Sequence, residues 1–167
     1  KQAANLLASG KIVGWFHGGS EYGPRALGHR SILVDPRKAK NKDTLNARVK
    51  FREAFRPFAP VVPEEHAHEY FDLDKSSPFM LMVAPIRSEK QDIIPAVTHV
   101  DGTGRVQTVT KRDNGLFYDL VVAFGKMTGV PVLLNTSFNV AGDPIVETPE
   151  DAIRCFLNTN IDVLILD

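Results

Sequence analysis

The apolar residues of this chain fall in short runs, at positions 12–16, 31–34, 58–62, 79–84 and 130–134, each bounded by glycine, proline or polar clusters. Runs of this length suit buried β-strands, and they fall well short of the ~20 residues that a bilayer-spanning helix needs. Helical signatures lie between them. Residues 2–9 stop at Gly10, residues 41–50 are polar and compatible with a helix, and residues 63–70 place a proline in the first turn of a short one. Leu116, Phe117, Leu120, Val121, Phe124 and Met127 recur at the spacing of one helix face, closed by Gly129. Thr148-Pro149-Glu150-Asp151 supplies an N-cap, a first-turn proline and two acids for a last helix. Residues 97–109 carry Asp101-Gly102-Thr103-Gly104 between β-rich flanks, which predicts a hairpin. Strands and helices alternate, so the predicted class is α/β (α+β), with a mixed sheet partly covered by helices.

With 167 residues, 43% of them hydrophobic, the chain can bury one sizeable core without staples. A single cysteine, Cys155, excludes an internal disulfide framework and a cysteine-caged metal. Its neighbours Ile153, Phe156 and Leu157 point to an apolar role. No membrane span and no signal-peptide order is visible, so the expected setting is cytoplasmic. No linker or repeat divides residues 1–167, which predicts a single domain. Lys1 enters directly into a helix-like stretch and Asp167 follows the apolar run 163–166, so the domain is expected to be excised from a longer chain.

Net charge is zero, yet between Arg25 and Arg56 ten Lys and Arg face three acids, a local excess of +7. Such asymmetry focuses positive potential on an anionic ligand while the protein stays neutral. The stretch 37–42 also reads as a solvated surface loop. Three segments could carry an anion site. The first is the loop 18–30, where glycines let backbone N–H groups approach an anion and Arg25 and Arg30 add guanidinium forks. It is neither a Walker A loop nor a dinucleotide-binding turn, and a plain connection remains open. The second is Lys50-Phe51-Arg52 with Arg56 beyond. If extended, it places Lys50 and Arg52 on one face and Phe51 in the core, with an anion relieving the repulsion; if helical, Arg52 and Arg56 are solvated. The third is Asn135-Thr136-Ser137-Phe138-Asn139, polar residues expected just after an apolar strand, where α/β sheets bind ligands or where an Asx/Ser turn caps the strand. His66 and His68 point to different sides of a helix, against chelation, and His17 and His29 flank the glycine loop as loop histidines or proton carriers. No metal site is predicted.

Taken together, four motifs carry a resemblance: Gly23-Pro24-Arg25-Ala26-Leu27-Gly28-x-Arg30-Ser31-Ile32-Leu33-x-Asp35-Pro36-Arg37; Lys50-x-Arg52-Glu53-x-Phe55-Arg56-Pro57-Phe58-Ala59-Pro60; His99-Val100-Asp101-Gly102-Thr103-x-Arg105-Val106-Gln107; and Asn135-Thr136-Ser137-Phe138-Asn139. In this order they resemble the C-terminal region of the O-carbamoyltransferases, which act in nodulation and on antibiotics such as cephamycins and tobramycin. That region looks like a YrdC-like domain, a twisted mixed β-sheet with flanking helices, whose Lys-x-Arg and Ser-x-Asn signatures match Lys50/Arg52 and Ser137/Asn139.

The resemblance implies ATP-dependent activation of carbamoyl phosphate to carbamoyl-adenylate, with Mg²⁺ escorting ATP. An N-terminal Kae1-like, metal-dependent domain of the same polypeptide would then pass the carbamoyl group to an acceptor hydroxyl, so transferase activity is not expected from this fragment. It assigns Arg25, Lys50, Arg52 and Arg105 to phosphate and carbamoyl oxygens, with Arg30 and Arg56 as second choices. Ser137, Asn139 and Thr136 would anchor phosphates or the carbamoyl amide. These groups are expected to meet in one electropositive hollow sized for a nucleotide. The alternatives are a non-catalytic nucleotide- or nucleic-acid-binding YrdC-like module and a threonylcarbamoyl-adenylate synthase-like enzyme. Nucleic acid is disfavoured because the basic segment has aromatics, Phe51, Phe55 and Phe58, only near its end.

Overall fold

The computed structural model describes residues 1–53 and 55–167. Among these, seven strands form one sheet: β1 (Val13–Phe16), β2 (Arg30–Val34), β3 (Ala59–Pro63), β4 (Met82–Pro85), β5 (Thr103–Val109), β6 (Leu133–Ser137) and β7 (Val163–Leu166), in the order β4-β5-β3-β6-β2-β1-β7. The sheet is mixed, because β1 runs parallel to β7 and β3 parallel to β5 while the other neighbours are antiparallel. Its helices are α1 (Gln2–Ala8), α2 (Lys40–Leu45), α3 (Ala67–Tyr70), α4 (Ser88–Gln91), α5 (Gly115–Thr128) and α6 (Pro149–Leu157). The class is therefore α/β, a mixed sheet with flanking helices.

Strand alternation sends side chains to two cores. Val13, Trp15, Leu33, Val61, Val109 and Leu133 meet α1 and α5 on one face, and Ile32, Val34, Val62, Leu134 and Phe138 join the core on the other. The long helix α5 forms as its periodicity predicts: Asn114 caps it by accepting from the Phe117 N–H, and left-handed Gly129 ends it. Helix α6 starts with the full Thr148/Asp151 capping box.

Three local expectations give way. The predicted hairpin at 97–109 is absent, because residues 95–97 form a 3₁₀ turn and β5 pairs instead with β4 and β3. Asp101 and Gly102 still make a tight turn, in which the His99 N–H donates to Thr103 O at 2.9 Å. The sixth strand begins three residues later than its apolar run, so Asn135, Thr136 and Ser137 lie within β6 rather than after it. Finally, of the two conformations left open for Lys50-Phe51-Arg52, the extended one is not formed and the segment leaves a helical end. Residues Asn46–Lys50 form a π-helical turn that exits through left-handed Phe51 (φ 46°), so alternate residues do not share a face and Phe51 stands exposed.

Candidate anion site

Along the α5 side of the sheet, character changes from apolar to charged. Val61, Val109 and Leu133 lie against α5, then Gln107 and Asn135 support the loop before β2, and Arg105 and Ser137 reach the open end. The loop itself is seated by Gly28 (φ 110°), where an added Cβ would stand 2.2 Å from the Phe117 ring of α5, so only glycine fits. Glu21 holds the same loop: its Oε1 accepts from the backbone N–H groups of Leu27, His29 (3.2 Å) and Arg30 (3.4 Å). Nothing in the periodicity or spacing marks Glu21.

This construction brings all four motifs to one hollow of about 60 Å³, lined by Arg25, Arg52, Arg105, Asn135, Thr136 and Ser137 together with Pro24, Phe58 and Met80. Since a single water needs roughly 10–15 Å³, the space admits one phosphoryl- or carbamoyl-sized group. The expectation of a nucleotide-sized hollow is corrected here; the rest of a nucleotide would lie outside it. Met80, which no sequence signal singled out, lines the hollow in a left-handed conformation (φ 55°), a strain of the kind that collects at ligand sites.

The three arginines form no ion pair among the described residues. Arg52 packs its guanidinium over the Phe58 ring at 4.6 Å and donates weakly to Pro57 O at 3.3 Å. Among the described residues its buried Nε has no partner, and neither has Nε of Arg105. Burial, then the neighbouring charges of Arg25 and Arg52, push the Arg105 guanidinium below its ordinary value; burial and Arg56 do the same to Arg52. Neighbouring like charges with unused donors are costly until an anion joins them.

The other sequence candidates sit elsewhere. Lys50 is almost wholly buried and does not line the hollow. Its ammonium donates to Ser137 O (2.9 Å) and Oγ (3.2 Å) and to Asn139 O (3.0 Å) and Oδ1 (2.7 Å), so the Lys-x-Arg and Ser-x-Asn motifs bind each other. Burial, with the charges of Arg52 and Arg56, pushes Lys50 down to about 7. Asn139 borders a separate, larger cleft of about 620 Å³ near Cys155 and α6. Arg30 is also committed: it stacks on Phe16 at 3.5 Å and donates to the carbonyls of His17, Gly18, His29 and Glu147. Burial lowers it from its ordinary value. Arg56 is exposed, 3.8 Å from Glu53.

A family described as "Carbamoyltransferase C-terminus" matches residues 4–167. The chain belongs to this family. It is 53% identical to nodulation protein NolNO of Sinorhizobium fredii over 99% of this chain and 25% of that protein. It is 51% identical to nodulation protein NolO of Bradyrhizobium diazoefficiens over 98% of this chain and 30% of that protein. The chain thus spans about a quarter to a third of these relatives. A crystal structure of full-length HypF in a phosphate- and nucleotide-bound form shares the fold, with a TM-score of 0.68 and 21% identity over 99% of this chain and 24% of that one. For this carbamoyltransferase domain, no helix among the described residues is long and apolar enough to cross a membrane.

Proposed function

We propose that this domain activates carbamoyl phosphate with ATP, giving carbamoyl-adenylate, within a longer cytoplasmic polypeptide whose N-terminal Kae1-like part transfers the carbamoyl group to an acceptor hydroxyl. The observation that carries the reading is the convergence of Arg25, Arg52 and Arg105, unpaired and with unused Nε donors on two of them, on a hollow of single-group size. The phosphate- and nucleotide-bound state of HypF supports it by fold.

In the proposed reaction, water cleaves carbamoyl phosphate to carbamate and phosphate. A carbamate oxygen then attacks the α-phosphorus of ATP, and pyrophosphate leaves. The charge to be neutralised is large and no covalent nucleophile is required, so positioning and electrostatics do the work. Arg25, Arg52 and Arg105 hold the oxygens and the Thr136 hydroxyl hydrogen-bonds beside them, while the Ser137 hydroxyl is spent as a donor on Asn139. Asn139 orients Ser137, whose Oγ lies 2.7 Å from Asn139 Oδ1. Lys50 acts as a positioning residue that fixes the end of β6. The guanidinium donor set suits phosphate oxygens, and Mg²⁺ would arrive on the nucleotide phosphates, where it would shield their charge. Carbamoyl-phosphate-dependent exchange of labelled pyrophosphate into ATP tests this reading. Exchange that needs both ligands is expected; no exchange with both ligands bound would refute adenylate formation.

A further inference from the structure

We infer that Asn135 Oδ1 recognises the –NH₂ of the ligand's carbamoyl group and sets the hollow's preference for carbamoyl over isosteric acyl groups, an inference that rests on the function proposed above. Asn135 is 1% exposed and lines the hollow. Its amide orientation is fixed by a chain of contacts that ends on acceptors. The Leu27 carbonyl can only accept, so Gln107 must give it Nε2, at 2.9 Å. Gln107 Oε1 then faces Asn135 Nδ2 at 2.7 Å. The same Nδ2 also donates to the Ala26 carbonyl at 3.1 Å. Flipping the Asn135 amide would set its oxygen against two other oxygens. Oδ1 is therefore the atom left over, and it is buried without a hydrogen-bond partner.

A native fold rarely leaves a buried acceptor unmatched without a reason. Here it accompanies the unused Nε donors of Arg52 and Arg105. Asn135, Arg52 and Arg105 all line the hollow, so its wall carries two unmatched N–H donors and one unmatched acceptor. A carboxylate or ionised phosphoryl oxygen has no hydrogen to give Oδ1. A carbamoyl group has two, beside the oxygens that the arginines take. The acetyl group, with a methyl in place of the amino group, has the same shape and would leave Oδ1 unpaired.

The test is a calorimetric comparison of the 167-residue chain with carbamoyl phosphate, acetyl phosphate and inorganic phosphate, alongside Asn135→Leu. Wild type should bind carbamoyl phosphate about tenfold or more tightly than acetyl phosphate, the scale of a lost buried hydrogen bond. Asn135→Leu should bring the ratio of carbamoyl phosphate to acetyl phosphate affinity to about one, whatever it does to the affinity for both. The wild-type comparison stands even where the variant fails to fold. Equal affinity for the two acyl phosphates, or a preference that persists in folded Asn135→Leu, overturns the inference while leaving the proposed function intact. Silence toward all three ligands overturns both.

Discussion

Arg30 and Arg105 lie on two interior strands of the same sheet, and their surroundings are opposite. Arg30, on β2, is enclosed by backbone carbonyls and the Phe16 ring, and its donors are consumed inside the protein. Arg105, on β5, is half-buried beside Arg25 and Arg52 with a donor that meets nothing. Lys50 belongs with Arg30, since protein oxygens surround its ammonium. Charge in the sequence is the same for all three. What separates a cation that holds the fold from one that awaits a ligand is whether the fold has already supplied its acceptors.

The contrast can be broken most severely at Arg30. Arg30→Ala removes the donor from four part-buried or exposed carbonyls and the stack on Phe16 together, so a loss of roughly 3 kcal/mol is expected. At this chain length that is a fall in Tm of about 6–12 °C, read by thermal melting. An unchanged Tm would place Arg30 with the ligand-seeking cations.

The pH response of Lys50 sharpens the comparison next. Its value is about 7 in the folded protein, against an ordinary 10.5. Between these two the unfolded chain binds more protons, so this residue makes stability rise with pH from about 7 toward 10.5. Below about 7 the lysine is charged in both states and its full penalty is present. Urea titrations of wild type and Lys50→Met across that window should show the wild-type slope flattened in the variant; parallel curves would contradict the assignment. The replacement should also weaken anion binding through the loosened end of β6.

Arg56→Ala should have the smallest effect. An exposed ion pair with Glu53 is worth about 0–1 kcal/mol, so stability should hardly move and affinity for carbamoyl phosphate should fall less than about threefold. A tenfold loss would extend the site beyond the hollow.

Much of this was legible from residue order. The apolar runs at 12–16, 31–34 and 58–62 placed β1, β2 and β3 to within a residue, the spacing of Leu116 to Met127 placed α5, and the four motifs contained the residues that converge, because strand alternation and helix periodicity are local properties. The run 79–84 is strand only from Met82. The rest depends on pairing partners far away in sequence. The start of β6 is set by its register against β2 and β3, which pulls Asn135 and Ser137 into the strand despite their polarity. The inward turn of Lys50 depends on the π-helical turn and the left-handed Phe51, a conformation that a phenylalanine does not announce. Whether Lys50 and Arg30 face a ligand or protein oxygens is a tertiary fact, and so is the orphaned oxygen of Asn135.

The most direct measurement is the affinity of carbamoyl phosphate for Arg105→Ala, by calorimetry at fixed salt, together with the variant's melting temperature. Removing a charge-assisted contact of about 1.5–3 kcal/mol should weaken binding roughly 10–100-fold. Relief of the repulsion with Arg25 and Arg52 should leave Tm unchanged or slightly raised. Wild-type affinity in a folded Arg105→Ala, or a collapse of its stability like that expected for Arg30→Ala, would contradict the account.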